Sequence, residues 1–184
     1  MGDDIDRELE GAASAGDESQ VIQLIGQGPT VDWRGGFGAT ALHWAAMHGH
    51  TPVVTLLLDA GWSLEARTDN GLTPLACAAE DGHLETVNYL LLQGADIDTQ
   101  VVYKWTPLHY ASYQGHIEVV KTLLHHGANQ EIRNQEGKTA KDLSANKETR
   151  ALFSGKKGLL QTFRSEVYCQ TLFPKPPRPD PVQL

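Results

Sequence analysis

Apolar residues in this chain recur with a helical period that is nested inside a longer one. Ile117, Val120, Leu123 and Leu124 fall on one face at about 3.6 residues per turn, which predicts an amphipathic helix over 117–126. Gly127 follows it and supplies the left-handed residue that closes many helices. The stretch before it predicts a shorter helix, Pro107–Gln114. Thr106 can cap that helix with its hydroxyl, and Pro107 suits the first position because its missing N–H would be unpaired there in any case. Gly115 stops the helix. The small Ala111 and Ser112, like Ala45 and Ala46 or Ala78 and Ala79, let a neighbouring helix approach closely. Asn134, Gln135, Glu136 and Gly137 have turn chemistry and send the chain back.

The whole pattern repeats every 33 residues. Glycine followed by histidine occurs at Gly49 and His50, Gly82 and His83, and Gly115 and His116, with Gly16 and Asp17 as a degenerate copy. The opening threonines are Thr40, Thr73, Thr106 and Thr139, and the closing glycines are Gly28, Gly61, Gly94 and Gly127. Agreement of several markers at one period predicts a stack of helix pairs.

The run Thr106, Pro107, Leu108, His109, with Gly115, His116, Val119, Val120, Leu123, Leu124, Gly127 and Ala128, resembles the ankyrin repeat. Residues 40–61 and 73–95 match nearly as well. The resemblance implies an all-α solenoid of stacked helix-turn-helix units, each projecting a β-hairpin-like loop. We expect one repeat domain over 1–153, with units at about 5–33, 34–66, 67–99 and 100–132 and a partial cap at 133–153. The first unit, with helices near 5–15 and 18–27, lacks the threonine-proline start. Its acids suit an end that faces water. In the last unit Lys141 and Asp142 replace the usual leucine and histidine, and the second helix shrinks to about 149–153.

Residues 154–184 leave the repeat. A short helix is possible over 159–173, where Leu160, Phe163 and Val167 have helical spacing. Five prolines in 174–181 then forbid a helix and include two P-x-x-P spacings, but Lys175 and Arg178 are poorly placed for a polyproline ligand. A solvated tail is the simpler reading. The last residues, Val182 to Leu184, match a strand-adding terminal ligand over three residues only.

Charge refines the functional classes. The net value is −8, with one basic and eight acidic residues in 1–32 and ten basic and five acidic in 132–184. An acidic body disfavours the phosphate backbone, so nucleic acid is an unexpected partner. The acidic start is no signal peptide, Asp6 breaks a myristoylation motif, no asparagine heads a glycosylation sequon and no apolar run approaches the ~20 residues of a membrane span. These features predict a cytoplasmic and/or nuclear protein, monomeric in isolation, without a cofactor.

The candidate chemistry is largely scaffold. His43, His50, His83, His109 and His116 occupy repeat positions that, by the resemblance, make structural hydrogen bonds. His125 and His126 are adjacent on a helix and make a poor chelate, and no metal site is expected. Gly35, Gly36 and Gly38 read as a turn, because no lysine or acidic partner of a phosphate loop follows. Lys104 stands where Gly38, Gly71 and Gly137 stand in other units, which predicts a loop of different shape. Cys77, among alanines, reads as a buried thiol, and no enzyme activity is expected.

By the resemblance, partners dock on the concave side, formed by loop tips and the ends of the inner helices. In register, the informative residues there are Phe37 and Met47 in the second unit, Arg67, Asp69, Glu80 and Asp81 in the third, and Tyr103, Trp105, Tyr113 and Gln114 in the fourth. Phe37 and Met47 are expected to extend the apolar patch, with Trp33 beside it. Aromatic residues dominate binding hot spots, and the acids suit a partner segment with basic residues around apolar anchors. The expected function is a protein–protein interaction module, an adaptor or scaffold. The alternative is a regulatory or inhibitory subunit of an enzyme or transcription complex using the same surface.

Overall fold

The computed structural model describes residues 2–154, so the expectations for the tail lie outside the described residues. Within them the chain forms ten α-helices and no strand. These are α1 (Gly2–Ala15), α2 (Glu18–Ile25), α3 (Ala41–Met47), α4 (Thr51–Asp59), α5 (Pro74–Glu80), α6 (Leu84–Leu92), α7 (Pro107–Gln114), α8 (Ile117–His125), α9 (Ala140–Leu143) and α10 (Lys147–Leu152). Odd-numbered helices pack side by side in an inner row, even-numbered helices form an outer row, and each pair is joined at a tight turn.

Burial follows the 33-residue period. Leu9, Leu42, Leu75 and Leu108 form a buried column in the inner row. Val21, Val54, Val87 and Val120 form another in the outer row, beside Leu24, Leu57, Leu90 and Leu123. The stripe expected on α8 is rotated slightly. Val119, Val120 and Leu123 are buried, whereas Ile117 and Leu124 are only half-buried, because the face that meets α7 also meets α6 and α10.

Two polar devices hold the units in register. His43 Nδ1 accepts from the Thr40 N–H at 3.1 Å, while Nε2 lies 3.1 Å from the Ala66 carbonyl and 3.0 Å from that of Leu72. The Thr40 hydroxyl in turn accepts from the His43 backbone N–H, completing the cap. Since Nδ1 is the acceptor, the proton sits on Nε2 and the neutral ring joins one unit to the next. His109 repeats this with Thr106 and the Lys138 carbonyl. The second device is the glycine–histidine pair. His50, His83 and His116 donate from Nε2 to the carbonyls of Ser14, Met47 and Glu80 at 3.0, 2.7 and 2.9 Å. Each ring lies over the preceding unit's glycine, and a Cβ on Gly49 would stand 2.5 Å from His83 Nδ1.

A third device escaped the sequence reading. The backbone N–H groups of Thr30, Ser63, Asp96 and Asn129, 33 residues apart, donate to carboxylates of Asp6, Asp32, Glu65 and Asp98. Three of these acids come from the preceding turn, and Asp6 comes from α1. Asp6 is thus buried and structural, while Asp4, Glu8, Asp17 and Glu18 of the first unit are exposed. The second oxygen of Asp6 has no protein partner. Trp33 is half-buried and lines a void of about 10 Å³ with Asp6, Leu9, Glu10, Thr30, Ala41 and Trp62.

The helix ends differ a little from expectation. α1 starts at Gly2, α2 ends at Ile25, and α8 ends at His125 with Gly127 left-handed two residues on. In the last unit α10 begins at Lys147 because Asn146 caps the Thr149 N–H at 2.7 Å, and it ends at Leu152.

Burial lowers the pKa of His43 and His109 from the ordinary 6.5, more than their carbonyl partners raise it. The unfolded chain therefore takes up protons before the folded one. The stability these rings contribute is complete above the ordinary value and is lost as pH falls below it toward the lowered folded values. Urea midpoints measured from about pH 7.5 down to about pH 5.5 should fall, and His43→Gln with His109→Gln should reduce the fall.

Candidate functional site

The loops that carry the candidate residues are built alike at their bases. The N–H groups of Gly35, Thr68, Val101 and Asn134 donate to the carbonyls of Ala39, Leu72, Trp105 and Lys138, giving one hairpin-like hydrogen bond per loop. The tips differ. In the second unit Phe37 and Gly38 are both left-handed, with φ of 62° and 66°. In the fourth, Tyr103 and Lys104 repeat this at 56° and 59°. The expectation that Lys104 changes the loop's shape holds against the third loop, where Gly71 alone is left-handed, but not against the second. The fourth loop keeps the second loop's conformation, with lysine held where glycine would be unstrained. The turn matters because it aims the tip carbonyl along the stack. The carbonyl of Phe37 accepts the Asp69 N–H at 2.9 Å, and that of Tyr103 accepts the Gln135 N–H at 2.8 Å.

These turns thrust two large side chains outward. Phe37 is 79% exposed and Tyr103 68% exposed, although both are residue types that normally avoid water. Left-handed backbone costs roughly 1–2 kcal/mol for a residue with a Cβ. At Tyr103 the hydrogen bond from the Gln135 N–H offsets part of that cost, while the ring itself has no aromatic partner among the described residues.

The inner-helix ends contribute the other candidates. Trp105 precedes α7 and is half-buried, with its ring centroid 4.9 Å from Tyr110 and 5.4 Å from Tyr113. Tyr113 meets it edge-on and stays 55% exposed. Gln114 is exposed at the end of the same helix. Glu80 and Asp81 close α5, with Glu80 half-buried and Asp81 exposed. Burial raises the Glu80 pKa, and the charge of Asp81 adds to the effect. Glu80 in turn acts on Tyr110, whose phenol is pushed up to about 12 by burial and then by that carboxylate.

The structure thus brings Trp105 and Tyr113 together, and α5, whose Glu80 carbonyl accepts from His116 Nε2 at 2.9 Å, packs alongside α7. Phe37 and Met47 stay apart from that pair, in the second unit. Met47 is half-buried, and its carbonyl serves the His83 bond. Arg67 reaches sideways to the Gln100 carbonyl at 3.4 Å. Asp69 braces the adjoining loop, with its carboxylate lying where a Cβ on Gly38 would be. Sequence reasoning missed Tyr110. It occupies the same repeat position as Trp44 and Cys77, and its place three residues before Tyr113 was the available signal.

A model of three ankyrin repeats matches residues 9–101, and a single ankyrin repeat matches 103–135. The chain belongs to the ankyrin-repeat family. No curated protein matches it. The matched residues take in the helices from α2 to α8 and the second half of α1, while α9 and α10 lie beyond them. The match accounts for the 33-residue spacing of the histidines. Among the described residues no group of three or more metal-ligating side chains converges, and no helix is long and apolar enough to cross a membrane.

Two outcomes follow from the local chemistry. Lys104→Gly should raise the unfolding free energy by about 0.5–1 kcal/mol, because relief of the left-handed strain exceeds the added freedom of the unfolded chain; urea denaturation measures it. The Cys77 thiol is buried and pushed up to about 12 by desolvation, with Glu80 and Asp81 adding to it. Iodoacetamide at mildly alkaline pH should therefore leave the Cys77 peptide unmodified in the native protein and modify it in urea, as read by peptide mass mapping.

Proposed function

We propose that this ankyrin-repeat chain is a non-enzymatic adaptor or scaffold that recognises a protein partner through its inner-helix ends and loop tips. The domain that does so is the stack over 1–153, working in the cytoplasm and/or nucleus. The supporting observation is the side-chain content at positions the scaffold leaves free. The repeat needs the backbone carbonyls of Met47 and Glu80 and the turns at Phe37 and Tyr103, but it does not need those side chains. Even so, three aromatic residues, Phe37, Tyr103 and Tyr113, stand more than half exposed at loop tips and an inner-helix end. Such rings supply large contact area at low ordering cost, and a rigid stack loses little conformational entropy on binding.

The test is paired. Trp105→Ala with Tyr113→Ala should leave the helical circular-dichroism signal in place and reduce quantitative affinity capture of the native partners by at least ~10-fold, the loss of one anchor of about 2 kcal/mol. A folded double variant that captures the same set in the same amounts would refute the reading.

A further inference from the structure

The end of α5 departs from the pattern of its neighbours. The corresponding positions on α3 are Met47 and His48, and on α7 Tyr113 and Gln114. On α5 they are Glu80 and Asp81, two acids at the negative end of a helix dipole, with no basic residue in the last turn. Their side chains form no ion pair among the described residues, where the recorded pairs are Lys121 with Glu118 and Lys138 with Glu136. The acids weaken their own helix, and the scaffold gains nothing from them in return, since it uses only the backbone carbonyl of Glu80.

α5 packs against α7, and the Glu80 carbonyl accepts from His116 Nε2 at 2.9 Å just past the end of α7, so Glu80 and Asp81 stand one repeat from Tyr113 and Gln114 along the inner row. On α7 the Tyr110 ring packs on Trp105 and Trp105 meets the exposed Tyr113, and the Glu80 carboxylate acts on the Tyr110 phenol. An aromatic face beside two carboxylates makes two demands of an occupant: positive charge and a flat surface. A guanidinium meets both, stacking on a ring while donating paired N–H bonds to a carboxylate. The surrounding body has the same sign, since residues 1–154 hold 21 acidic and ten basic side chains.

We infer that Glu80, Asp81, Trp105, Tyr110 and Tyr113 form a subsite for an arginine side chain of the partner protein. The inference rests on the binding reading above and names the chemistry of one anchor. The aromatic rings supply the stacking surface, and the two carboxylates supply charge and direction. Ammonium groups fit less well, because a compact, strongly hydrated charge cannot use the rings and the carboxylates in one plane.

The test uses the full chain, ¹⁵N-labelled, with the indole N–H resonance of Trp105 assigned through Trp105→Phe. The probe is a blocked glycine–arginine–glycine peptide, compared with the same peptide carrying citrulline, which is flat but uncharged. We expect a saturable shift of the Trp105 resonance with the arginine probe. With citrulline, or in the Glu80→Gln and Asp81→Asn double variant, the affinity should fall by at least ~10-fold. No saturable shift, an equal response to citrulline, or full response in the double variant would each overturn the inference. None of these would touch the broader reading, which stands or falls on partner capture by the Trp105 and Tyr113 variant. A shift of the Trp105 resonance in Arg164→Gln with Arg178→Gln, in the absence of probe, would also overturn it by assigning the subsite to the chain's own C-terminal segment.

Discussion

The structure depends on a close contact between a histidine ring and a glycine that has no side chain. His83 donates to the Met47 carbonyl at 2.7 Å, and its ring occupies the space that a Cβ on Gly49 would fill. Neither half works without the other. The hydrogen bond requires the ring to come that close, and the approach requires the glycine, which is also left-handed at φ 74°. Once this distance is set, the leucine and valine columns fall opposite one another and the small Ala45, Ala46, Ala78 and Ala79 bring the inner helices together. The apolar burial supplies most of the favourable free energy, but the polar contact decides which residues face each other.

Much of this architecture is legible in the sequence because the interactions repeat. A residue that performs the same task in every unit shows itself by its spacing, and Thr40, Thr73, Thr106 and Thr139 are all found that way. What the spacing concealed were tasks done by unlike residues. The carboxylates that hold the N–H groups of Thr30, Ser63, Asp96 and Asn129 come from three aspartates and a glutamate, one of them on a different helix. Each of the three clamps that run between successive turns spans 31 residues, so no local pattern announces it. The fourth, from Asp6, spans 24. The same holds for Lys104. A lysine in a glycine position suggested a new loop shape, yet the fourth loop shares the second loop's shape, with the same tip hydrogen bond to the next unit.

The binding surface was legible only in outline. Register gave the positions that face outward, and composition marked Trp105, Tyr113 and Tyr103 among them. Register could not say which of those side chains are already engaged. Trp105 is half held by Tyr110, Asp69 braces a loop and Arg67 reaches a neighbouring carbonyl, whereas Phe37 and Tyr103 stand clear. The distinction depends on side-chain packing between units, which a one-dimensional pattern does not contain. It also separates two kinds of loop. Those of the second and fourth units carry strained, projecting rings, and the third, with Asn70 in place of a ring and Gly71 as its left-handed residue, does not.

The glycine–histidine contact also has a direction. In each case the ring belongs to the later unit and the socket to the earlier one, like the tongue and groove of adjoining boards. The first unit has a socket at Gly16, filled by His50, but Asp17 stands where its own tongue would be. At the other end Asn146, not a histidine, lies against Gly115. A repeat stack is a one-dimensional crystal, and complementary ends would let copies add head to tail without limit. With an aspartate for a tongue at one end and an asparagine in the last glycine socket at the other, the glycine–histidine joint is confined to the interior of the described stack.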